Sequence, residues 1–171
     1  YICIYIYIYI YIDIEVGMFM AVKTETDVLM PNVDHENISG DPRNCSVVQK
    51  GDIEIVFSHM YGHVGIGLTG ANIEMFQKIG RMTHGGRRFV IVAGETNVPA
   101  AVLEASGLLE ELGLELIRPN NVNITCTSGK GSLIDYALVT KGFAAAIVSV
   151  EAVTEVPWGP HFGIRIKYRT N

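Results

Sequence analysis

Short stretches in which hydrophobic and polar residues alternate, or in which apolar residues run together between turns, recur along the chain and predict β-strands. They are residues 52–57, 123–127, 132–140, 143–150 and 162–168. The run 89–93 is apolar throughout and is bounded by turn residues, which is typical of a strand buried on both faces.

Two other stretches have apolar residues at helical spacing. In residues 71–82, Ile73, Phe76 and Ile79 fall on one face. Residues 100–117 are predicted as one helix, whose inward residues are apolar: Val102, Leu108, Leu109, Leu112 and Leu116. The order strand, helix, buried strand, helix and further strands predicts an α/β sandwich over residues 51–168.

The first fourteen residues follow a different pattern, with Ile at every even position and Tyr at most odd ones. Alternating T and A in DNA encodes such a run, so we interpret residues 1–16 as a low-complexity segment that carries no function; an edge strand is the alternative. The segment is too short for a membrane helix, which needs about 20 apolar residues. It also lacks the basic start and the cleavage site of a signal peptide.

Residues 17–50 are poorly patterned and rich in loop-forming residues. Asp34, His35 and Glu36 are adjacent in sequence, and three adjacent side chains do not easily converge on one metal ion. We therefore predict a solvated loop there.

Composition narrows the class of protein. A chain of 171 residues with 49% hydrophobic content fits one globular domain or a large part of one. Its formal charge of −5 excludes a polybasic nucleic-acid-binding surface but leaves a local basic strip open. Its three cysteines favour an intracellular protein over a secreted disulfide scaffold. Because the first residue is Tyr1 and not Met, we expect a fragment of a longer chain.

Polar side chains with catalytic potential lie where predicted strands end. Glu95 and Asn97 follow the apolar run, Asp135 interrupts an apolar strand, and His161 precedes the last strand. In phosphate-ester hydrolysis, a carboxylate activates water, an amide orients it, and a carboxylate-supported imidazole stabilises charge on phosphoryl oxygens. The loop 61–70 is rich in glycine, but its spacing fits neither a phosphate-binding loop nor a dinucleotide fingerprint.

The sequence from residue 51 to 168 resembles the second part of the endonuclease/exonuclease/phosphatase superfamily. The resemblance rests on three ordered motifs: Gly-Glu-Thr-Asn at 94–97, Ser-Leu-Ile-Asp-Tyr at 132–136 and Pro-His at 160–161. It implies two packed sheets with flanking helices, and cleavage of phosphate esters, nucleic-acid backbones included, with Mg²⁺ or Mn²⁺. It also implies catalytic roles for Glu95, Asn97, Asp135, His161 and, by a looser match, Tyr61, with Glu95 as a metal ligand. Endonucleases of retroelements belong to this superfamily.

The chain departs from the family pattern in three places. Glu95 stands where the family has Asp, Pro160 replaces the Asp before the histidine, and residues 1–50 offer no counterpart of the family's first-sheet Asn and Glu. These departures predict weak or absent activity. Three hypotheses stay open: an impaired phosphodiesterase, an inactive relative that serves as a binding module, and a decayed retroelement fragment.

Basic residues alternate along the last predicted strand at Arg165, Lys167 and Arg169. They are interpreted as the polar face of an edge strand, with contact to phosphates as the alternative.

Overall fold

The computed structural model describes residues 5–11, 17–23, 45–50, 53–156 and 159–169, with side chains for 55–156 and 159–169. Nine strands occur in these ranges: β1 Tyr5–Tyr11, β2 Gly17–Lys23, β3 Cys45–Lys50, β4 Ile53–Tyr61, β5 Phe89–Glu95, β6 Leu114–Ile117, β7 Asp135–Thr140, β8 Ile147–Val153 and β9 Gly163–Tyr168. The helices are α1 Gly70–Met82, α2 Ala100–Ala105 and α3 Leu108–Glu111, with a 3₁₀ helix over Lys141–Ala146.

The strands form two sheets. One has five strands in the order β3-β4-β5-β7-β6, and the other has four in the order β2-β1-β9-β8. In the larger sheet β4 and β5 are parallel, and the remaining neighbours are antiparallel.

Period-two alternation sends side chains of the larger sheet into two separate cores. One face packs against the helices through residues such as Val92 and Leu138, which meet Phe76 and Ile79 of α1. The other face packs against the smaller sheet through a second apolar set: Ile55, Phe57, Ile91, Ala93, Ala137 and Val139 meet Val150, Ile164, Ile166 and Tyr168. The predicted α/β sandwich, with two sheets and flanking helices, is confirmed. Burial on both faces explains why residues 89–93 of β5 are all apolar.

Strand β1, which lies in the low-complexity segment of alternating Tyr and Ile, belongs to the smaller sheet. Strand β1 pairs with β2 on one side and with β9 on the other, so the alternative of an edge strand is wrong. Strand β9 is likewise an interior strand, between β1 and β8. Strands β2 and β3 lie within 17–50, where the sequence pattern predicted loops, while Asp34, His35 and Glu36 lie outside the described residues.

The prediction of one helix over 100–117 is wrong. Gly107 and Gly113 have φ values of 77° and 66°, in the left-handed region that ends a helix, so α2 and α3 are short and 114–117 forms β6. Val102 is 48% exposed and does not face the core. The predicted strand 143–150 begins only at Ile147, because a 3₁₀ helix precedes it. No helix of the described residues is long and apolar enough to cross a membrane.

Candidate active site

Three of the predicted site residues lie in one row across the larger sheet. Tyr61, the last residue of β4, pairs in register with Glu95, the last residue of β5. Glu95 in turn pairs with Asp135, the first residue of β7. Residues that are 34 and 40 positions apart in sequence are therefore neighbours at one edge of the sheet, which is where we predicted the chemistry.

His161 reaches this row from the other sheet, since it lies two residues before β9. Its Nδ1 is 3.1 Å from Oδ1 and 3.0 Å from Oδ2 of Asp135, and its Nε2 is 3.4 Å from Oε2 of Glu95. The three side chains are buried, with 5% or less of each exposed to solvent. Asp135 and His161 thus form a carboxylate-supported imidazole, the arrangement named above for phosphate-ester hydrolysis.

The geometry assigns the imidazole tautomer. Nδ1 lies against a carboxylate, so Nδ1 carries a proton, and Nδ1–H donates a hydrogen bond to Asp135. Nε2 then faces the Glu95 carboxylate. This contact is favourable only when His161 carries a second proton or Glu95 is protonated, because a lone pair would otherwise face an anion.

The pKa values of both groups follow from these contacts. Burial raises the pKa of the Glu95 carboxyl; His161 opposes this rise, the charge of Asp135 adds to it, and a hydrogen bond from Asn97 opposes it. Burial alone would lower the pKa of His161, but the hydrogen bond to Asp135 and the charges of Asp135 and Glu95 outweigh burial and raise it. Both shifts favour a proton within the Glu95–His161 pair.

The turn after β5 brings Asn97 to the same edge. Gly94 has φ of 149°, and a Cβ there would lie 2.2 Å from the Met60 carbonyl oxygen, so only glycine fits before Glu95. Asn97 has φ of 52°, a left-handed conformation that asparagine tolerates. Its Nδ2 donates to the Gly62 carbonyl oxygen at 2.8 Å, which ties the turn to the end of β4.

Tyr61 is partly buried beside Glu95. Burial, and after it the charge of Glu95, raises the pKa of the Tyr61 hydroxyl, so this hydroxyl remains protonated at neutral pH and available as a donor. The structure thus brings together all five residues that were predicted from the sequence.

Two further residues hold the loop that follows Tyr61, and neither was predicted from the sequence to have this role. The Gly62 N–H donates to the Glu95 carbonyl oxygen at 2.8 Å. Fully buried Asn72 accepts from the His63 N–H at 2.6 Å and donates to the His63 and Gly67 carbonyl oxygens at 3.0 and 2.7 Å. A polar residue on the inner face of a predicted helix was the available signal for Asn72.

The residues present fit a divalent cation. Glu95, Asp135 and His161 each offer a ligand atom, and these atoms lie within 4.8 Å of one another, the only such group among the side chains that are described. Oε2 of Glu95 is buried and accepts no hydrogen bond. An unsatisfied buried carboxylate oxygen is costly unless a proton or a cation is nearby, and carboxylate oxygens are the ligands that Mg²⁺ and Mn²⁺ prefer.

Known structures share this fold. The sequence matches no family model and no curated protein, but the structure is similar to the endonuclease domain of TRAS1, a telomere-specific non-LTR retrotransposon (TM-score 0.59, 16% identity, 94% of this chain and 78% of that one). It is also similar to an endonuclease/exonuclease/phosphatase family protein from Leptotrichia buccalis (TM-score 0.57, 16% identity, 74% and 53%) and to the 3′-5′ exonuclease NExo from Neisseria meningitidis (TM-score 0.51, 14% identity, 84% and 70%).

These likenesses define the fold class. The chain has the endonuclease/exonuclease/phosphatase fold, as the sequence motifs predicted. Within that class it overlaps most of the TRAS1 endonuclease domain, whereas it spans only about half the length of the Leptotrichia protein.

Proposed function

We propose that this chain is a divalent-metal-dependent phosphodiesterase of the nuclease type, in a weakened form. The observation that carries the proposal is the buried contact of Asp135, His161 and Glu95 at the junction of the two sheets. Structural cores rarely bury two carboxylates and an imidazole together, because removing each charge from water costs on the order of several kcal/mol. Perturbed ionisable groups that are gathered at a strand end are typical of catalytic sites.

Each residue has a role that follows from its position. Glu95 is the general base for an attacking water and a ligand for the cation, and Asn97 orients the water. Asp135 accepts a hydrogen bond from Nδ1–H of His161 and stabilises the positively charged imidazolium, so that Nε2–H can donate to a phosphoryl oxygen. Tyr61 is a second donor at the same edge. A bound divalent cation would polarise the phosphoryl group and neutralise its charge.

Two features weaken this site. Glu95 is one methylene longer than Asp, and its Oε2 lies 3.4 Å from Nε2 of His161, the atom that would meet the substrate. The carboxylate therefore competes with a phosphoryl oxygen for the imidazole. Misplacement of a catalytic group by about 1 Å can cost about 100-fold in rate. Pro160 adds a second loss, since it offers no carboxylate beside His161.

The likeness to the TRAS1 endonuclease domain supports a nucleic acid as the substrate class of this chain. It also supports a retroelement as the origin of the sequence.

The test is the nicking of supercoiled plasmid DNA with Mg²⁺ or Mn²⁺. We expect little or no cutting by the unaltered chain, and cutting at least about 10-fold faster by the double variant Glu95→Asp/Pro160→Asp, because the shorter carboxylate frees Nε2. Glu115→Asp makes the same chemical change at an exposed position on β6 and should have no effect. A folded double variant that cuts with neither metal would overturn the proposal.

A further inference from the structure

Asp135 lies in the larger sheet, where it begins β7, and His161 lies just before β9 of the smaller sheet. The distance between their side chains therefore depends on the contacts that join these two segments. The segment 125–127 runs between these two points. Within it, Cys126 forms a bridge to Ser132 on one side and to His161 on the other.

Thr125 contacts the backbone next to both members of the pair. Its side chain is fully buried, and Oγ1 accepts hydrogen bonds from the Asp135 N–H at 2.9 Å and the Ile134 N–H at 3.2 Å. Its carbonyl oxygen accepts from the Phe162 N–H at 2.9 Å. One residue therefore holds the start of β7 through its side chain and the residue after His161 through its backbone.

We propose that Thr125 is a positioning residue, which sets the distance between Asp135 and His161 and so keeps Nδ1–H of the imidazole hydrogen-bonded to the Asp135 carboxylate. The inference rests on the proposed function, which gives the pair its catalytic meaning. Its physical basis is that Oγ1 satisfies two buried N–H groups at once. Without that oxygen, the start of β7 must move to find other acceptors, because unsatisfied buried donors are costly.

The chain offers a matched control at the other end of β7. Thr140 is also buried, and its Oγ1 accepts from the Val90 N–H at 2.9 Å and lies 3.2 Å from the Arg88 carbonyl oxygen. Thr125→Val and Thr140→Val each remove a buried hydroxyl that bonds to backbone groups of neighbouring segments. They should destabilise the fold to a similar degree, but only the first should disturb His161.

The experiment is NMR of the full chain with ¹⁵N-labelled histidine, in which the Nδ1–H resonance of His161 is assigned by its disappearance in His161→Gln. We expect the resonance in the unaltered chain, in Thr140→Val and in Thr125→Ser, which keeps the oxygen. We expect its loss in Thr125→Val, because exchange with water is no longer blocked by Asp135.

A Thr125→Val spectrum with the His161 resonance unchanged would overturn the proposal. If Thr125→Val does not fold, Thr125→Ser decides: a wild-type resonance supports the proposal and a lost one contradicts it. The measurement needs no activity, so a plasmid assay without cutting would remove the proposed function while this result still tests the positioning role.

Discussion

Replacing Gly62 by alanine should loosen the active-site edge of the larger sheet. A Cβ at this position would lie 1.8 Å from the Thr96 carbonyl oxygen, which is a backbone atom that no rotamer change can move away. The loop after β4 and the turn after β5 would have to separate. That separation breaks the bond from the Gly62 N–H to the Glu95 carbonyl oxygen and the bond from Asn97 Nδ2 to the Gly62 carbonyl oxygen, both 2.8 Å long.

The expected loss of stability can be estimated in two ways. Two hydrogen bonds at about 0.5–1.5 kcal/mol each give about 1–3 kcal/mol. Forcing an extra carbon into a packed site also costs about 1–3 kcal/mol. The two figures are not added, because breaking the bonds is how the structure relieves the overlap. For a chain of this size, a loss of 1 kcal/mol lowers the melting temperature by about 2–4 °C.

Urea denaturation followed by circular dichroism measures the change. Gly142→Ala is the matched control, since a Cβ at Gly142 meets no atom within 4 Å. The free energy of unfolding should fall by about 1–3 kcal/mol in Gly62→Ala and by much less in the control. If Gly62→Ala is as stable as Gly142→Ala, the close packing of the loop against the turn is refuted.

Three further predictions concern the site and its support. The buried Tyr136 hydroxyl donates to the Val98 carbonyl oxygen at 3.1 Å, so Tyr136→Phe should lower the free energy of unfolding by about 1 kcal/mol in a urea titration; no loss would show that the bond contributes nothing. Burial raises the folded-state pKa of Glu95, so stability falls as the pH rises through that pKa; Glu95→Gln should therefore be more stable than the unaltered chain at about pH 8, and the advantage should disappear at about pH 4. An advantage of Glu95→Gln at the lower pH that disappears at the higher pH would contradict the raised pKa of Glu95. Isothermal titration should detect only weak Mg²⁺ binding, because Pro160 supplies no carboxylate where octahedral oxygen ligands are needed, and micromolar affinity of the unaltered chain would contradict this.

The sequence predicted the parts of the fold that depend on local pattern. Helix α1 and strand β5 follow from helical spacing and from an apolar run, and their observed bounds lie within two residues of the prediction. The site was predictable for a related reason, since polar residues at the ends of buried strands converge when those strands are neighbours. Glu95 and Asp135 are such a case.

The predictions from the sequence were wrong where contacts between residues far apart in sequence determine the structure. Residues 114–117 have helical spacing, but they pair with β7, and Gly113 ends the preceding helix. The position of β1 inside a sheet depends on its pairing with β9, more than 150 residues later. Thr125 carried no local signal either, because its hydrogen bonds reach residues of two other segments.

The central claim is that Asp135, His161 and Glu95 act as one catalytic unit, and the most direct test is to remove His161 from the restored site. The rate of plasmid cutting is measured for Glu95→Asp/Pro160→Asp with and without His161→Ala, and His84→Ala, which changes an exposed histidine, serves as the control. We predict that His161→Ala lowers the cutting rate of the double variant by about 10²-fold or more, while His84→Ala leaves it unchanged. Cutting that persists without the His161 imidazole would contradict the account.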